Sequence, residues 1–216
     1  MIQKNTESEM IYEALKNDII LQVIKPNTKL SEVQLAERFG TSRAPVQRAL
    51  RQLSDEGLVD VRPQSGTFVT AVSFEKSAHI RQIRVLLEPE AARIAAAKIP
   101  AKDLMLMELQ FQRLEEPLEG HVRYLTVTEV DEAMHDLILD YCGNPELADT
   151  IRRLRPAMQR MTLYNLTHTP ERSYTVVVEM KRVFAALKAR DGEKAYAEMR
   201  DHLLQIQTAK VKTRGG

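Results

Sequence analysis

Apolar positions recur at helical spacing, then in strict alternation, then at helical spacing again, and these two changes of period divide the chain. From about Glu7 to Val23, Met10, Ile11, Leu15, Ile19 and Ile20 make one apolar side, and Lys25-Pro26-Asn27 ends the helix. Ser31 is placed to cap a second helix with Val33, Leu35, Ala36 and Phe39 on its apolar face, and Gly40 stops it. Ser42 caps a third, Arg43 to about Asp55, with Ala44-Pro45 in its first turn and Val46, Leu50 and Leu53 facing inward. Leu58 to Arg62 and Thr67 to Thr70 then alternate around Pro63-Gln64-Ser65-Gly66, which predicts an antiparallel hairpin.

Past the hairpin, strand patterns vanish. Helices are predicted at about Phe74 to Lys98, Lys102 to Leu114, His121 to Tyr141, Pro145 to Leu166, Pro170 to Arg190 and Gly192 to Val211. The expected fold is mainly α: a winged helix-turn-helix over 1–72, then an antiparallel helical bundle over 73–216. The boundary falls near Ala71 to Phe74, so the linker is short and transmits orientation better than a long tether.

The third helix carries the chemistry of the first part. With its apolar side inward, Arg43, Gln47, Arg48 and Arg51 point outward where a recognition helix meets base edges and phosphates. Arg62, Gln64 and Gly66 at the hairpin tip can touch a phosphate or the minor groove. Exposed arginines are elsewhere ordinary solvated charge, and it is their combination with a capped helix pair and a wing that points to nucleic acid.

Global charge adds nothing, because 31 basic residues face 30 acidic ones. The basicity is local: Arg38, Arg43, Arg48, Arg51 and Arg62 fall in the winged region, while Asp55, Glu56 and Asp60 lie beyond the outward face. Two copies on one duplex would double the phosphate contacts. The single cysteine, Cys142, excludes an internal disulfide and is expected to pack as a small hydrophobe. No stretch is long and apolar enough for a membrane helix, and MIQKNTESEM has no apolar signal segment, so a cytoplasmic location is expected. There is no glycine-rich phosphate loop, G-x-S-x-G or H-E-x-x-H, which argues against an enzyme. A helical adaptor whose winged unit binds protein is the other alternative, and a salt-dependent, sequence-preferring DNA shift separates it from a regulator.

The run LSEVQLAERFGTSRAPVQRALRQLSDEGLVDVRPQSGTFV resembles the winged helix-turn-helix of the GntR family of bacterial transcription regulators. The family pattern, L-S-E-x-x-L-A-x-x-x-G-x-S-R-x-P-V-R-x-A-L-x-x-L-x-x-E-G-L-V, matches over nearly the whole segment. The resemblance implies that Ser42, Arg43, Ala44 and Pro45 form the turn and helix start that contact the operator, and that Gly66 is the wing residue beside the minor groove. Where the family has an arginine after Pro-Val, this chain has Gln47 followed by Arg48. Glutamine can read an adenine edge, so a changed operator preference is expected.

In the second part, Asp131 and His135 stand four apart on one helix face, and His202 lies on the last helix among Met199, Leu203 and Ile206. A carboxylate with imidazoles from facing helices can build a metal or anion pocket, and buried histidines can equally be hydrogen-bonded core residues. IRVLLEPEAARIAA from Ile83, D-x-x-x-H at Asp131 to His135 and A-x-x-x-M-x-x-H-L from Ala195 resemble the all-helical effector-binding domain, called FCD, of the FadR-type branch of that family.

In that branch an aspartate and three histidines often hold zinc or nickel, which with a helix arginine binds a carboxylate effector. Asp131, His135 and His202 match three ligand positions, but Met180 stands where the fourth histidine is expected. A thioether is a poor ligand for zinc, which leaves weak binding through three groups and water, no metal, or an effector that needs none. Arg84 matches the pocket arginine and is the candidate for the effector carboxylate, unless it is a surface ion-pair residue. Tyr124 and Tyr164 could line the same pocket. These features together predict a ligand-responsive regulator, a repressor that binds a pseudo-palindromic operator in double-stranded DNA as a homodimer, with a small carboxylate as effector.

Overall fold

The computed structural model describes residues 6–71 and 73–205, which form two compact units, Met1–Ser73 and Phe74–Gly216. In the first, α1 (Glu7–Ile20), β1 (Lys29–Leu30), α2 (Glu32–Phe39), α3 (Arg43–Asp55), β2 (Val59–Arg62) and β3 (Gly66–Val69) follow in order. A capping box starts α1: Thr6 Oγ1 accepts from the Glu9 amide at 3.3 Å, and Glu9 Oε2 accepts from the Thr6 amide at 2.7 Å. The helix ends at Ile20, three residues before the sequence limit, and it buries Ile11, Tyr12, Leu15 and Ile19 while leaving Met10 outside.

Ser31 caps α2 as expected, and Gly40 closes it in the left-handed region at φ 63°. Val33 lies on the exposed side of this helix, so the buried face is Leu35 and Ala36, with Phe39 packed partly against the core. The unit closes over Leu15, Ile19, Val46, Leu53, Leu58 and Val69, all at 0 % exposure. Truncating any of these leucines to alanine would cost about 2–5 kcal/mol.

The predicted hairpin is the β2–β3 ladder, Val59 opposite Val69 and Arg62 opposite Gly66. A third strand, absent from the sequence reading, completes the sheet in the order β1-β3-β2, pairing Lys29 with Phe68. Two residues are too few to show alternation, so the sequence has no signal for β1.

Among its described residues the second unit has only helices as regular elements: α4 (Phe74–Ala96), α5 (Ala101–Gln112), α6 (Gly120–Tyr141), α7 (Pro145–His168), α8 (Arg172–Lys188) and α9 (Gly192–Leu204). All six predicted helices are found with ends shifted by a few residues, and the expected extension of the last one past Gln205 lies outside the described residues. Helix α4 packs along α9 and α6, and α8 packs along α9, around a core that includes Ala92, Val130, Met134, Met180, Leu187 and Met199. Cys142 is buried, as expected of a small hydrophobe. Among the described residues no helix is long and apolar enough to cross a membrane.

Candidate functional site

Helix α3 has two chemically distinct sides. Val46, Ala49, Leu50 and Leu53 are buried, while Arg43, Gln47, Arg48 and Arg51 are all exposed on the opposite face, as are Ser42 and Ala44 at the helix start. Pro45 is the exception among the expected contact residues. Its ring is buried, so it starts the helix from the inside and presents nothing to a duplex. Ser42 occupies the N-cap backbone position, but its hydroxyl makes no capping bond.

Gln47 is exposed yet engaged, because its Nε2 donates to Glu32 Oε2 at 2.8 Å. Any base that reads Gln47 must compete with this bond. At the wing, Gly66 has φ +111°, and a Cβ there would meet Lys29 Cε at 2.9 Å. Lys29 therefore lies over the wing glycine, a cation that the sequence reading missed because β1 itself was invisible. Arg62 stacks over Phe68 with its guanidinium 4.6 Å from the ring centroid and pairs with Asp60 at 2.9 Å.

The polar centre of the second unit is a chain of buried charges drawn from four helices. Asp131 and His135 on α6 meet His202 on α9, and one ligand atom from each lies within 4.8 Å of the others. His202 Nε2 is 3.3 Å and His135 Nε2 is 3.9 Å from Asp131 Oδ1. Both separations are below the roughly 4.2 Å that two ligands at about 2.1 Å can span across one metal ion.

The outer nitrogens are held by carboxylates: His135 Nδ1 is 2.6 Å from Glu88 Oε2, and His202 Nδ1 is 3.2 Å from Glu179 Oε2. An arginine holds each carboxylate in turn. Arg84 grips Glu88 with two donors, and Arg172 donates to both oxygens of Glu179 at 2.5 and 2.7 Å. Carboxylates behind both imidazoles fix their orientation and turn each Nε2 toward Asp131, the arrangement that metal-binding histidines require.

The set fits a divalent ion. Asp131 Oδ1 and His202 Nε2 are buried 3.3 Å apart, and neither has another hydrogen-bond partner among the described residues. Arg84 Nη2 lies 3.5 Å from His135 Nδ1 and 3.3 Å from Nε2, almost equidistant and so directed at neither ring nitrogen. Met180 adds no fourth ligand to this set of one oxygen and two nitrogens, being wholly buried in the apolar core.

Burial opposes charge here and is overruled. It would lower His202, yet Asp131 and Glu179 together raise that imidazole to about 9. Burial would raise Asp131, yet the charge and hydrogen bond of His202 hold it at about 2. Glu88 is likewise driven well below the carboxylate range, its burial outweighed by Arg84 and His135. Without metal, His202 is therefore an imidazolium, and a metal at this point must displace a proton.

Arg84 is thus a buried residue committed to Glu88, and neither a surface ion-pair residue nor a free clamp. A cavity of about 250 Å³ opens beside the cluster, bordered by Asp131, Asn165, Arg172, Thr175, Val176 and His202. Arg84 instead borders a separate cavity of about 30 Å³. Tyr164 stacks on His168 with centroids 3.9 Å apart, and Tyr124 packs against the core. Glu88, Glu179 and Arg172 were missed by sequence reasoning. Only Glu88 had a signal, its four-residue spacing from Arg84, and that spacing equally describes a surface pair.

Comparison with known proteins agrees with both halves. Residues 7–69 match the model of the bacterial regulatory proteins of the gntR family, and residues 79–205 match the FCD domain. The chain is 30% identical over 209 residues to the HTH-type transcriptional repressor RspR of Escherichia coli K12, covering 92% of this chain and 86% of that protein. It is 25% identical over 191 residues to the uncharacterized HTH-type transcriptional regulator YdhC of Bacillus subtilis, covering 88% and 85% of the two chains. Escherichia coli McbR/YncC shares the fold, with a TM-score of 0.79 at 24% identity over 94% of this chain and 95% of that one. With a gntR-type winged unit joined to an FCD bundle, this chain belongs to the GntR family and is a DNA-binding transcription regulator.

Proposed function

We propose that the protein is a cytoplasmic repressor that binds a pseudo-palindromic operator as a homodimer and is released or retained by a small carboxylate effector. The outward row of Arg43, Gln47, Arg48 and Arg51 on a helix anchored from behind carries the DNA half of this reading. Ser42 and the free amides of the α3 N-terminus suit a phosphate, and Gly66 with Lys29 suits the backbone beside the minor groove. One copy offers few cations, which favours a dimer on a two-fold site. The repressor sign follows the printed name of RspR.

Asp131, His135 and His202 would hold the metal, zinc or nickel, which when bound supplies a Lewis-acidic point for an oxygen ligand. The charge of the buried chain supports an anionic effector. Arg84, Arg172 and a divalent ion against Glu88, Asp131 and Glu179 leave one positive charge, which a monocarboxylate neutralises. The cavity of about 250 Å³ beside His202 and Arg172 has room for a small acid. Such a ligand changes DNA affinity only by the difference in its own affinity for the two states.

The deciding experiment is fluorescence anisotropy of the full chain with labelled DNA from upstream of its own gene, repeated across salt concentrations and with zinc or EDTA. A sequence-preferring, salt-dependent complex is expected, together with about one zinc per chain by elemental analysis. Equal binding to all sequences would overturn the operator reading, and protein purified without bound metal that also ignores added zinc would overturn the metal reading.

A further inference from the structure

Helix α5 is apolar on two opposite sides. Leu104, Met107 and Phe111 are buried, and Phe111 stacks on Phe184 of α8 with ring centroids 4.9 Å apart. On the other side Met105, Leu106 and Leu109 stand 66 %, 50 % and 52 % exposed. Among the described residues α5 is the one helix that presents three large apolar side chains to solvent. A helix that packs by one face needs one apolar stripe, so the second stripe has no use within this unit and marks a surface for association.

The polar residues around the stripe decide what fits on it. Along its edges the charges are already paired within the chain: Lys188 with Glu108 at 2.5 Å, Lys181 with Glu115 at 3.1 Å and Arg113 with Glu129 at 2.7 Å. Asp103 accepts from the Tyr141 hydroxyl at 2.5 Å. Lys102 and Glu116 remain, both exposed and neither in an ion pair among the described residues.

These two stand at opposite ends of the stripe, Lys102 in the first turn of α5 and Glu116 just past its last. Each opposes the dipole of the helix, which favours anions at its start and cations at its end, so helix stability accounts for neither. One cation and one anion cancel, and the face therefore has no net charge to draw nucleic acid, an anionic membrane surface or a strongly basic segment.

A second copy of the same face does fit. With two α5 helices antiparallel across a two-fold axis, each Lys102 meets the partner's Glu116, and both contacts form at once. Parallel pairing would set lysine on lysine and glutamate on glutamate. A standard interface takes about 800 Å² from each subunit, so the stripe supplies its centre, where methionine is favoured and charge is depleted, and the paired edges supply its rim.

We propose that the outer face of α5 is the surface by which two copies of this chain join, antiparallel, with Met105, Leu106 and Leu109 at the centre. The inference rests on the homodimer reading above and names its surface, and the test tells failure of one from failure of the other.

Sedimentation equilibrium of the full-length protein, over about a thousandfold range of concentration, gives the dimer dissociation constant. Leu109→Glu puts a carboxylate into the centre of the contact and should weaken the dimer at least about a hundredfold. Lys102→Glu and Glu116→Lys should each weaken it about fivefold, and the double variant should return to within about twofold of the unmodified protein, because the swap restores opposite charges. Neither swap harms the helix itself, since each supplies the charge that its dipole favours.

A dimer that Leu109→Glu leaves as tight as before would place the contact on another face, overturning this inference while the homodimer reading stands. Charge variants whose losses add in the double variant would overturn the antiparallel pairing. A chain that is monomeric throughout the range would remove both readings. Circular dichroism checks that Leu109→Glu folds, and if it does not, the charge variants decide.

Discussion

The two units place their charges in opposite ways. In the winged unit the core cluster is built from apolar side chains and Tyr12, and the arginines of α3 stand outside it. In the helical unit Arg84, Glu88, His135, Asp131, His202, Glu179 and Arg172 form one buried sequence of contacts through the core. An outward cation can be removed without disturbing the fold, because water already satisfies it. A buried one cannot, because its partners have no other source of compensation. Function and stability are therefore separable in the first unit and joined in the second.

The sharpest way to break this contrast is His202→Leu. It puts an apolar side chain where Asp131 and Glu179 both meet the buried imidazole, and it should cost the EDTA-treated protein about 3–5 kcal/mol in urea unfolding. A loss below about 1 kcal/mol would mean that solvent reaches the cluster and that the joining of site and fold is wrong. Arg43→Ala is the matching change in the winged unit. Operator affinity should fall by about 1–3 kcal/mol while stability moves by less than about 0.5 kcal/mol. Unchanged affinity would mean that α3 is not the reading helix.

How much of each unit could be read from the sequence follows the same division. Caps, Gly40, the alternation after Gly57 and the outward arginines of α3 are local signals, and each depends on neighbours only a few residues away. The six helices of the bundle were legible for that reason, and so was the pairing of Asp131 with His135 on one face. The cradle behind the histidines was not. Glu179 reaches His202 across 23 residues and Arg84 reaches His135 across 51, distances at which no periodicity survives. Burial also decides meaning: the Arg84–Glu88 spacing is the same in a solvated pair, and only the packing of α4 along α6 and α9 makes it a support for His135. In the winged unit the gaps are likewise long-range, namely Lys29 over Gly66 and Glu32 on Gln47.

Glu132 gives the contrast a pH signature. Burial raises its folded value to about 7 from the ordinary 4.5, so the folded protein holds this proton more tightly than the unfolded chain does. The stability linked to that proton is complete below pH 4.5 and is lost as pH climbs through about 7. Glu132→Gln removes the titration. The variant should gain about 1–2 kcal/mol over the unmodified protein at pH 8 relative to their difference at pH 4.5, measured on EDTA-treated samples. A constant difference across that range would place Glu132 in contact with solvent.

The smallest effect tests whether the winged unit's surface groups are independent after all. Glu32 holds Gln47 by one exposed hydrogen bond, and such a bond contributes on the order of 0.5–1 kcal/mol. Glu32→Ala should release Gln47 and tighten the operator complex by up to that amount. Removing a negative charge from the surface would also tighten binding, but to every sequence alike and with a steeper salt dependence. The two causes part in a double-mutant cycle. If release of Gln47 is the cause, the gain disappears in Gln47→Ala protein and is confined to the preferred operator. If the gain persists there, Glu32 acts only as a charge, and the winged unit's surface residues are as separable as its apolar core implies.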